Sequence, residues 1–300
     1  MIEPNALTEL SDQLAAAAER AGKSTLLVNA RRRFPASGIA WSAGGQVLTT
    51  DHVIEREENI TVGLPDGSEV PATIVGRDPG SDLAVLKVDA ELTAIERAPE
   101  GLAKVGSIVL AIGRPTGEGV QASFGVVGAI GGAWRTFRGG QVEGYLRSDT
   151  TFFPGFSGGP LIDTSGRAVG INSSRLGRGA GITIPVAAVE KVVADLLKAG
   201  HVRRAYLGIS SQPAQLPNAL AARLGGQESG LLVVMVEPES PADKAGLILG
   251  DLLVSLGGQP VTDTESLQSQ LGSERVGTST AVVVLRGGEP RELTVVPGER

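Results

Sequence analysis

Short strand-like runs separated by glycine-rich turns constrain this fold more than any other feature of the sequence. Between residues 24 and 184, apolar runs of high β propensity alternate with turns such as Pro-Asp-Gly at 65–67 and Asp-Pro-Gly at 78–80. Since no helical period separates these runs, the pattern predicts an antiparallel barrel or sandwich rather than a sheet with crossover helices. The predicted strands are 24–29, 38–41, 46–50, 59–64, 72–77, 83–88, 108–112, 121–130, 144–147, 161–163, 168–172 and 181–184.

Helical periodicity is confined to the two ends of this strand-rich region. Leucines and alanines at helical spacing predict an amphipathic helix over 5–21, which packs on its own domain, caps the next domain or mediates assembly. A second helix is predicted over 186–199. After a hinge at 201–205, strands alternate with short helices, which predicts a mixed α/β module. The predicted division is therefore an N-terminal helical segment 1–23, a barrel domain 24–200 and a C-terminal domain 205–300.

Composition argues against several classes of function. The chain has 300 residues and a net charge of -6, which disfavours nucleic acid or an anionic membrane as a partner, and the basic run 31–33 is interpreted as a solvated loop. There is no cysteine, and His52 and His201 are the only histidines, so we find no metal-site spacing and expect no cofactor. We recognise neither a signal peptide nor a membrane span, and so expect a cytoplasmic location unless an export segment is missing.

A turn of small residues around Ser157 is the first candidate for catalysis. The sequence Gly-Phe-Ser-Gly-Gly-Pro at 155–160 leaves the serine hydroxyl exposed and lets backbone amides converge beside it. A serine needs a base to take its proton and donors to hold the developing oxyanion, and the amides of Gly155 and Ser157 are the candidate donors. Such turns are frequent in glycine-rich chains, so this motif alone is weak.

His52 and Asp82 are the candidates for the base and for the acid that orients it. His52 follows an apolar strand, whereas His201 lies in the hinge and is interpreted as a surface residue. Asp82 stands at the head of the apolar run 83–88, where an unpaired carboxylate is costly. Asp51 is the competing acid. Adjacent side chains on an extended segment point to opposite faces, so Asp51 is poorly placed to bond the imidazole.

The order of these residues indicates a class of hydrolase. His52, Asp82 and Ser157 follow one another as His, Asp and Ser, an order that differs from those of subtilisins and α/β-hydrolases. The order, the barrel-like strand pattern and the glycine turn are separate observations that agree. We therefore predict a Ser-His-Asp triad in the order found in chymotrypsin.

Several separated motifs run through residues 24–300 and point to one family. They are Thr-Thr-Asp-His-Val-Ile at 49–54, Ser-Asp-Leu-Ala-Val-Leu-Lys-Val at 81–88, Leu-Ala-Ile-Gly-Arg-Pro at 110–115, Phe-Gly-Val-Val at 124–127, the segment 149–160 and Gly-Ile-Thr-Ile-Pro-Val at 181–186. Together they resemble the high-temperature-requirement (HtrA/Deg) family of serine proteases, in which a trypsin-like domain precedes PDZ domains. The resemblance implies a mainly β fold, with a double β-barrel protease domain at 24–200 and a mixed α/β PDZ domain at 205–300.

The resemblance also implies roles for individual residues. His52 is then the general base, Asp82 its orienting acid and Ser157 the nucleophile, with the amides of Gly155 and Ser157 as the oxyanion hole. Thr151 takes the place of the trypsin specificity aspartate, so cleavage after Arg or Lys is not expected, and the family implies a small or medium aliphatic residue there.

Three loops and one peptide-binding segment follow from the same resemblance. Residues 150–156 resemble the activation loop, 134–139 the loop that relays activation between subunits, and 175–179 the loop beside the specificity pocket. In the PDZ domain, a carboxylate-binding loop is implied for Tyr206, Leu207, Gly208 and Ile209. A peptide would then add as a strand beside Ile209 and against a helix at 264–271.

The implied activity is ATP-independent cleavage of unfolded or damaged proteins by a homotrimer whose PDZ domain binds C-terminal peptides. Two departures from the family motif motivate an alternative. Phe156 stands where the family usually has Asn, and Asp51 where it usually has Asn or Ala. The alternative is a chaperone or peptide-binding protein with a dormant protease domain.

Overall fold

A computed structural model describes the chain over residues 5–136, 141–177, 181–203 and 205–299. The chain divides into two units, Met1–Val202 and Arg203–Arg300, and each has hydrophobic clusters of its own. Within the described residues, no helix has both the length and the apolar character needed to cross a membrane. The predicted mainly β fold, with two barrels followed by a mixed α/β module, is confirmed.

The first barrel is a closed antiparallel sheet. Its strands are β1 (Thr25–Asn29), β2 (Ala36–Ser42), β3 (Gln46–Thr49), β4 (Ile60–Gly63), β5 (Glu69–Asp78) and β6 (Leu83–Val88). They pair in the order β1-β2-β3-β6-β5-β4, and β4 returns to β1. Branched aliphatic side chains such as Val28, Val47 and Leu86 are fully buried in this barrel. A turn of 3-10 helix, Asp51–Val53, follows β3.

The second barrel has the same construction. The strands that follow in the chain are β7 (Ile108–Thr116), β8 (Gly119–Gly131), β9 (Trp134–Arg135), β10 (Gln141–Val142), β11 (Tyr145–Ser148), β12 (Pro160–Ile162), β13 (Ala168–Ser173) and β14 (Ile182–Pro185). Six of them close in the order β11-β14-β13-β12-β7-β8, while β9 and β10 form a two-stranded ribbon. Leu48 and Leu83 of the first barrel share one buried cluster with Ile171 and Ile184 of the second, so the barrels meet on a common core.

Helix α1 (Ala6–Gly22) packs on the second barrel. Its N-terminus is capped by the side-chain oxygen of Asn5, which accepts two amides of the first turn. The buried face carries Ala17 and Ala21, which share a cluster with Leu110, Ile112 and Ile162 of the barrel. Small residues on this face allow the helix to approach the sheet closely.

Helix α2 (Val186–Ala199) follows the last barrel strand. Its buried residues Val189, Val193 and Leu196 belong to the core that the two barrels share. Gly200 ends the helix in the left-handed conformation, at a φ of 78°. The carbonyl of Gly200 accepts the amide of Arg77 in β5, so the helix fastens the first barrel to the second.

The second unit combines antiparallel strands with short helices. Its elements are β15 (Ala205–Tyr206), β16 (Ile209–Gln215), α3 (Asn218–Arg223), β17 (Ser229–Val236), α4 (Pro241–Lys244), β18 (Leu252–Leu256), β19 (Gln259–Pro260), α5 (Thr264–Ser269), β20 (Thr280–Arg286), β21 (Glu289–Val295) and β22 (Gly298–Glu299). The order β16-β17-β18-β20-β21 leaves β16 at an edge of the sheet, and α5 packs against it. An edge strand beside a helix can accept an extended peptide as a further strand.

Candidate active site

The candidate catalytic residues lie on the seam between the two barrels. His52 is in the 3-10 turn after β3, Asp82 comes immediately before β6, and Ser157 is in the turn before β12. Hydrogen bonds cross the seam at these positions: the amide of Ser37 donates to the carbonyl of Ser157 at 3.1 Å, and the hydroxyl of Ser173 donates to Asp82 at 2.6 Å. The first barrel thus supplies the candidate base and acid, and the second supplies the candidate nucleophile.

His52 and Asp82 form a close, buried pair. Nδ1 of His52 lies 2.8 Å from Oδ2 and 3.0 Å from Oδ1 of Asp82, and the backbone amide of His52 donates to Oδ1 at 3.0 Å. Only 9% of the His52 side chain and 4% of the Asp82 side chain are exposed. Since a carboxylate only accepts hydrogen bonds, the proton of the neutral imidazole resides on Nδ1. Nε2 then keeps a lone pair, which is the orientation that a general base requires.

The backbone of Asp82 is strained. Its φ is 59°, in the left-handed region that few residues other than glycine adopt. Its carboxylate contacts three donor groups, which are the backbone amide and Nδ1 of His52 and the hydroxyl of Ser173. The strained backbone therefore holds the carboxylate group against the imidazole.

Asp51, the competing acid, is engaged by an arginine. Its carboxylate accepts from Nε of Arg77 at 2.7 Å, and the residue is 2% exposed. Arg77 also donates to the carbonyl of Ile54 at 3.1 Å, which ties the 3-10 turn to β5. Asp51 therefore braces the turn that carries His52, while Asp82 makes the contact to the imidazole.

The side-chain oxygen of Ser157 contacts Ser174. The two Oγ atoms are 2.9 Å apart, and the amide of Ser174 donates to Ser157 Oγ at 3.2 Å. In the described part of the chain, no hydrogen bond joins Ser157 to His52. The structure thus pairs the candidate base with its acid and leaves the candidate nucleophile in a separate hydrogen-bonded arrangement.

Two amides in the serine turn are free. Among residues 155–159, the other three amides donate to backbone carbonyls at 2.9–3.0 Å: Phe156 to Phe153, Gly158 to Asn172 and Gly159 to Phe156. Over the described residues, the amides of Gly155 and Ser157 have no hydrogen-bond partner. Backbone amides in folded proteins are nearly always bonded, so two free amides next to a serine are available for a developing negative charge.

Glycine is required on both sides of this serine. Gly155 has a φ of 88°, and a Cβ there would lie 2.5 Å from Cβ of Pro115. Gly158 has a φ of 87°, and its Cβ would lie 2.1 Å from the carbonyl oxygen of Ser37. Close packing at this turn therefore requires glycine at both positions. The motif was weak evidence in the sequence only because such turns are frequent in a glycine-rich chain.

Phe156 anchors the turn in the core of the second barrel. The side chain is 0% exposed and meets Phe153 edge to face, with ring centroids 5.3 Å apart. Gly113 makes room for the ring, because a Cβ at that position would lie 2.5 Å from Phe156 Cδ1. The departure from the family motif thus replaces a polar residue by an aromatic ring that is fully accommodated.

The loops implied by the family resemblance lie partly within the described residues. Thr136 is buried, and its hydroxyl donates to the carbonyl of Gly80 at 2.7 Å, two residues before Asp82. The amide of Thr151 donates to Oγ of Ser123 at 2.8 Å. Residues 137–139 and 178–179 of the other two implied loops lie outside the described residues. Through Thr136, the described start of the implied loop 134–139 therefore contacts the turn that precedes the candidate acid.

The basic run 31–33 is only partly solvated. Arg32 and Arg33 are exposed, as interpreted from the sequence. Arg31 is half-buried, and burial lowers its pKa, although the carboxylates of Glu55 and Asp82 act in the opposite direction. Arg31 is therefore close enough to the candidate acid to contribute to its electrostatic surroundings.

The described residues offer no obvious metal site. Among them, no group of three His, Asp or Glu side chains could hold a metal ion.

An apolar cavity of about 540 Å³ lies on the second barrel near the start of α2, lined in part by Ile130, Leu146 and Val186. None of the candidate catalytic residues lines it.

Three serines in the site were missed by sequence reasoning. Ser173 contacts the candidate acid, Ser174 the candidate nucleophile, and Ser37 the candidate oxyanion turn. The polar run Asn-Ser-Ser at 172–174, at the end of an apolar strand, was the one signal available for the first two. Ser37 had no signal, because its contacts are made by residues far away in the sequence.

In the second unit, residues 206–209 form the turn between β15 and β16. The carbonyls of Leu207 and Gly208 accept amides of Ala242 and Glu237, both at 2.8 Å. Since a trans peptide directs its N–H opposite to its C=O, the amide of Gly208 is turned away from that contact. Within the described chain, the amides of Leu207 and Gly208 have no partner.

The conformation of this turn depends on glycine. Gly208 has a φ of 82°, and a Cβ there would lie 2.2 Å from Cβ of Ser240. Leu207 is buried, while Ile209 begins the edge strand β16 and Tyr206 ends β15. The turn thus places free amides at the end of an open sheet edge, where a peptide carboxylate can be bound.

Comparison with known proteins assigns both units. Residues 36–171 match the trypsin-like peptidase domain family, and residues 205–296 match the PDZ domain family. The chain is 36% identical over 276 residues to a probable periplasmic serine endoprotease DegP-like of Rhizobium meliloti (strain 1021), covering 89% of this chain and 54% of that protein. It is 36% identical over 269 residues to the protein of the same name from Pseudomonas putida (strain W619), covering 87% and 55%. The chain spans about half the length of these curated relatives.

Solved structures resemble the chain over nearly its whole length. The HtrA-type protease AlgW with a decapeptide superposes with a TM-score of 0.77 at 30% identity, covering 96% of this chain and 98% of that chain. A serine endoprotease from Yersinia pestis gives a TM-score of 0.77 at 32% identity, with the same coverages of 96% and 98%.

The expected cytoplasmic location is wrong, because the curated relatives are named periplasmic endoproteases.

Proposed function

Because the chain belongs to the family of HtrA-type serine proteases, we propose that it is an ATP-independent serine endopeptidase with His52, Asp82 and Ser157 as its catalytic triad. The observation that carries this proposal is the buried His52–Asp82 pair, set beside a serine turn in which two amides are free. The pair supplies a base, and the turn supplies a nucleophile and an oxyanion hole.

Acylation begins with a change of hydrogen-bond partner. Ser157 Oγ leaves Ser174 by rotation about its side-chain bond and donates to Nε2 of His52. As Oγ attacks the scissile carbonyl carbon, its proton passes to Nε2, and Asp82 stabilises the imidazolium. The carbonyl oxygen becomes an oxyanion, which the amides of Gly155 and Ser157 hold.

The intermediate then collapses. The imidazolium of His52 gives its proton to the leaving amine, the C–N bond breaks, and an acyl-Ser157 remains. Water attacks the acyl carbon, with His52 again accepting the proton, and the acid product leaves as Ser157 regains its proton. Both halves use the same base because Asp82 fixes its orientation.

We propose unfolded or damaged proteins as substrates, cut after small or medium aliphatic residues. Thr151 supports the exclusion of Arg and Lys, since no carboxylate stands at the position that binds them in trypsin. We retain 24–200 as the protease domain and 205–300 as the PDZ domain. The segment 1–23 is part of the protease unit in this proposal, because α1 buries Ala17 and Ala21 on the second barrel.

The second unit is proposed to bind peptides through Tyr206, Leu207, Gly208 and Ile209. The free amides of Leu207 and Gly208 support a site for a terminal carboxylate, and the open edge of β16 supports strand addition. Related HtrA-type structures carry a decapeptide or a tripeptide. The assembly that we propose is a homotrimer, and the compartment is the periplasm named for the curated relatives.

The alternative of a chaperone with a dormant protease domain has less support. Phe156 motivated it, but this ring is buried without disturbing the two free amides. The curated relatives are named endoproteases. The contact between Ser157 and Ser174 is compatible with a resting enzyme.

The test is Ser157→Ala in the full chain, with Ser165→Ala as a matched control in an exposed turn. We expect Ser157→Ala to abolish cleavage of casein and labelling by a fluorophosphonate, and Ser165→Ala to retain both. Circular dichroism checks that the variants are folded. Cleavage of casein by Ser157→Ala at the unaltered rate would refute the proposal. Failure of the unaltered chain to react with the probe, even with PDZ-binding peptides present, would favour the chaperone alternative.

A further inference from the structure

Ser37 is a buried residue of β2 that contacts the serine turn across the seam between the barrels. It is 0% exposed, and its amide donates to the carbonyl of Ser157 at 3.1 Å. Its carbonyl accepts the hydroxyl of Thr49, in β3, at 2.7 Å. One residue of the first barrel therefore bonds both its neighbouring strand and the backbone of the proposed nucleophile.

The hydroxyl of Ser37 has its hydrogen-bond directions fixed. Its Oγ lies 2.8 Å from the amide nitrogen of Arg114 and 2.7 Å from the carbonyl oxygen of Gly155. A backbone amide only donates and a carbonyl only accepts, so Oγ accepts from Arg114 and donates to Gly155. Arg114 is itself anchored, because its guanidinium donates to the carbonyls of Gly22 and Thr25 at 2.9 and 2.7 Å.

This hydrogen bond restrains the peptide group between the two free amides. The carbonyl of Gly155 and the amide of Phe156 belong to one peptide plane, which Ser37 holds at one edge and the carbonyl of Phe153 at the other, at 3.0 Å. Glycine has the widest backbone freedom of any residue, and Gly155 has no side chain to limit rotation. Rotation there changes the angle between the amides of Gly155 and Ser157, so their alignment depends on an outside restraint.

We propose that Ser37 is a positioning residue of the oxyanion hole, which acts through the carbonyl of Gly155 and does not touch substrate. The inference rests on the proposed function. Oxyanion donors stabilise the transition state more than the bound substrate, so loss of the Ser37 hydroxyl lowers kcat and leaves KM unchanged. The His52–Asp82 pair is outside the affected contacts, so the pH profile keeps its midpoint.

The experiment compares Ser37→Ala with Thr49→Val in the full chain. Thr49→Val removes a buried hydroxyl bond of the same 2.7 Å length to the carbonyl of Ser37, without a bond to Gly155. We expect Ser37→Ala to lower kcat for a short peptide substrate about tenfold or more, because complete removal of one oxyanion donor costs about 10²–10³-fold. The affinity for a peptide boronate, whose tetrahedral adduct places an oxygen in the oxyanion hole, falls by the same factor. Thr49→Val changes neither quantity.

Several outcomes overturn this inference. Ser37→Ala could match Thr49→Val in kcat and boronate affinity, raise KM alone, or lower kcat without weakening the boronate. If Ser37→Ala does not fold, Ser37→Cys replaces it, since a thiol is a weaker donor, and an undiminished kcat and boronate affinity then overturn the inference. Absence of fluorophosphonate labelling in the unaltered chain contradicts the proposed function instead, so the two failures are distinguishable.

Discussion

Ser174 offers the hydroxyl of Ser157 an acceptor other than His52. A serine hydroxyl has one proton. Ser157 Oγ accepts the amide of Ser174 and lies 2.9 Å from the Oγ of Ser174, which offers an acceptor for that proton. The reactive arrangement requires that proton to point to Nε2 of His52. When the proton of Ser157 points to Ser174 Oγ, the two arrangements compete, and the side chain of Ser174 then favours the resting one.

Removal of the Ser174 hydroxyl should accelerate the reaction of Ser157. A neutral hydrogen bond contributes about 1 kcal/mol, so Ser174→Ala is expected to raise the rate of fluorophosphonate labelling about fivefold. The measurement is the second-order labelling rate at fixed pH, with Ser174→Thr as the control that keeps a hydroxyl. Equal or slower labelling of Ser174→Ala would show that Ser174 does not restrain the nucleophile.

The sequence could predict those site residues that are marked by the residues adjacent to them in the chain. His52 ends an apolar strand, and Asp82 is an acid at the head of another, so both stood out locally. Ser37 could not be found in this way, because its hydroxyl contacts Gly155, 118 positions away. Contacts across the seam between two barrels depend on the register of both sheets, which a local pattern does not specify.

At the scale of elements, long regular elements could be predicted from the sequence, whereas very short ones could not. The predicted helix 186–199 has the bounds observed for α2, because the apolar period is long and Gly200 stops it. Residues 213–226 had no clear prediction, since strand β16 gives way within them to the six-residue helix α3. The β9–β10 ribbon was missed because strands of two residues leave no alternation to read.

The turn between β15 and β16 predicts a preference for free C-termini. A carboxylate that accepts the amides of Leu207 and Gly208 makes charge-assisted hydrogen bonds, each contributing about 1.5–3 kcal/mol. We expect a peptide with a free carboxylate to bind at least about tenfold more tightly than its amide, measured by fluorescence anisotropy. Gly208→Ala should abolish the difference, because its Cβ would lie 2.2 Å from Ser240. Equal affinity of the two peptides would refute carboxylate recognition.

At the scale of the whole molecule, the second unit contains a buried ion pair that couples its stability to pH. Asp251 is 0% exposed and accepts from Nε and Nη2 of Arg286, both at 2.8 Å, and from the amide of Ile248 at 3.0 Å. Burial acts to raise the pKa of Asp251, but the hydrogen bonds from Arg286 and Ile248, together with the positive charges of Arg286 and Arg291, outweigh it, so the pKa lies below its ordinary value. The charged form of Asp251 therefore stabilises the folded unit.

The sign of this coupling predicts loss of stability in acid. A depressed pKa contributes stability that is complete above the unfolded value, about 3.9, and is lost as pH falls through the lower folded value. Asp251→Asn should reduce the free energy of unfolding at pH 7 by about 1–3 kcal/mol and flatten its decline below about pH 4. Urea unfolding monitored between pH 7 and pH 3 measures both quantities. An unaltered slope in Asp251→Asn would assign the acid sensitivity to other groups.

The division of the triad between two barrels has a consequence for how the protein is made. His52 and Asp82 emerge from the ribosome early, but the turn of Ser157 is bonded to Asn172 in β13 and to Ser174, which are made much later. Domains generally fold in N-terminal order during synthesis. A nascent chain with a finished first barrel therefore holds a base without a nucleophile. It is harmless to itself and to its neighbours until almost the whole protease unit has been translated.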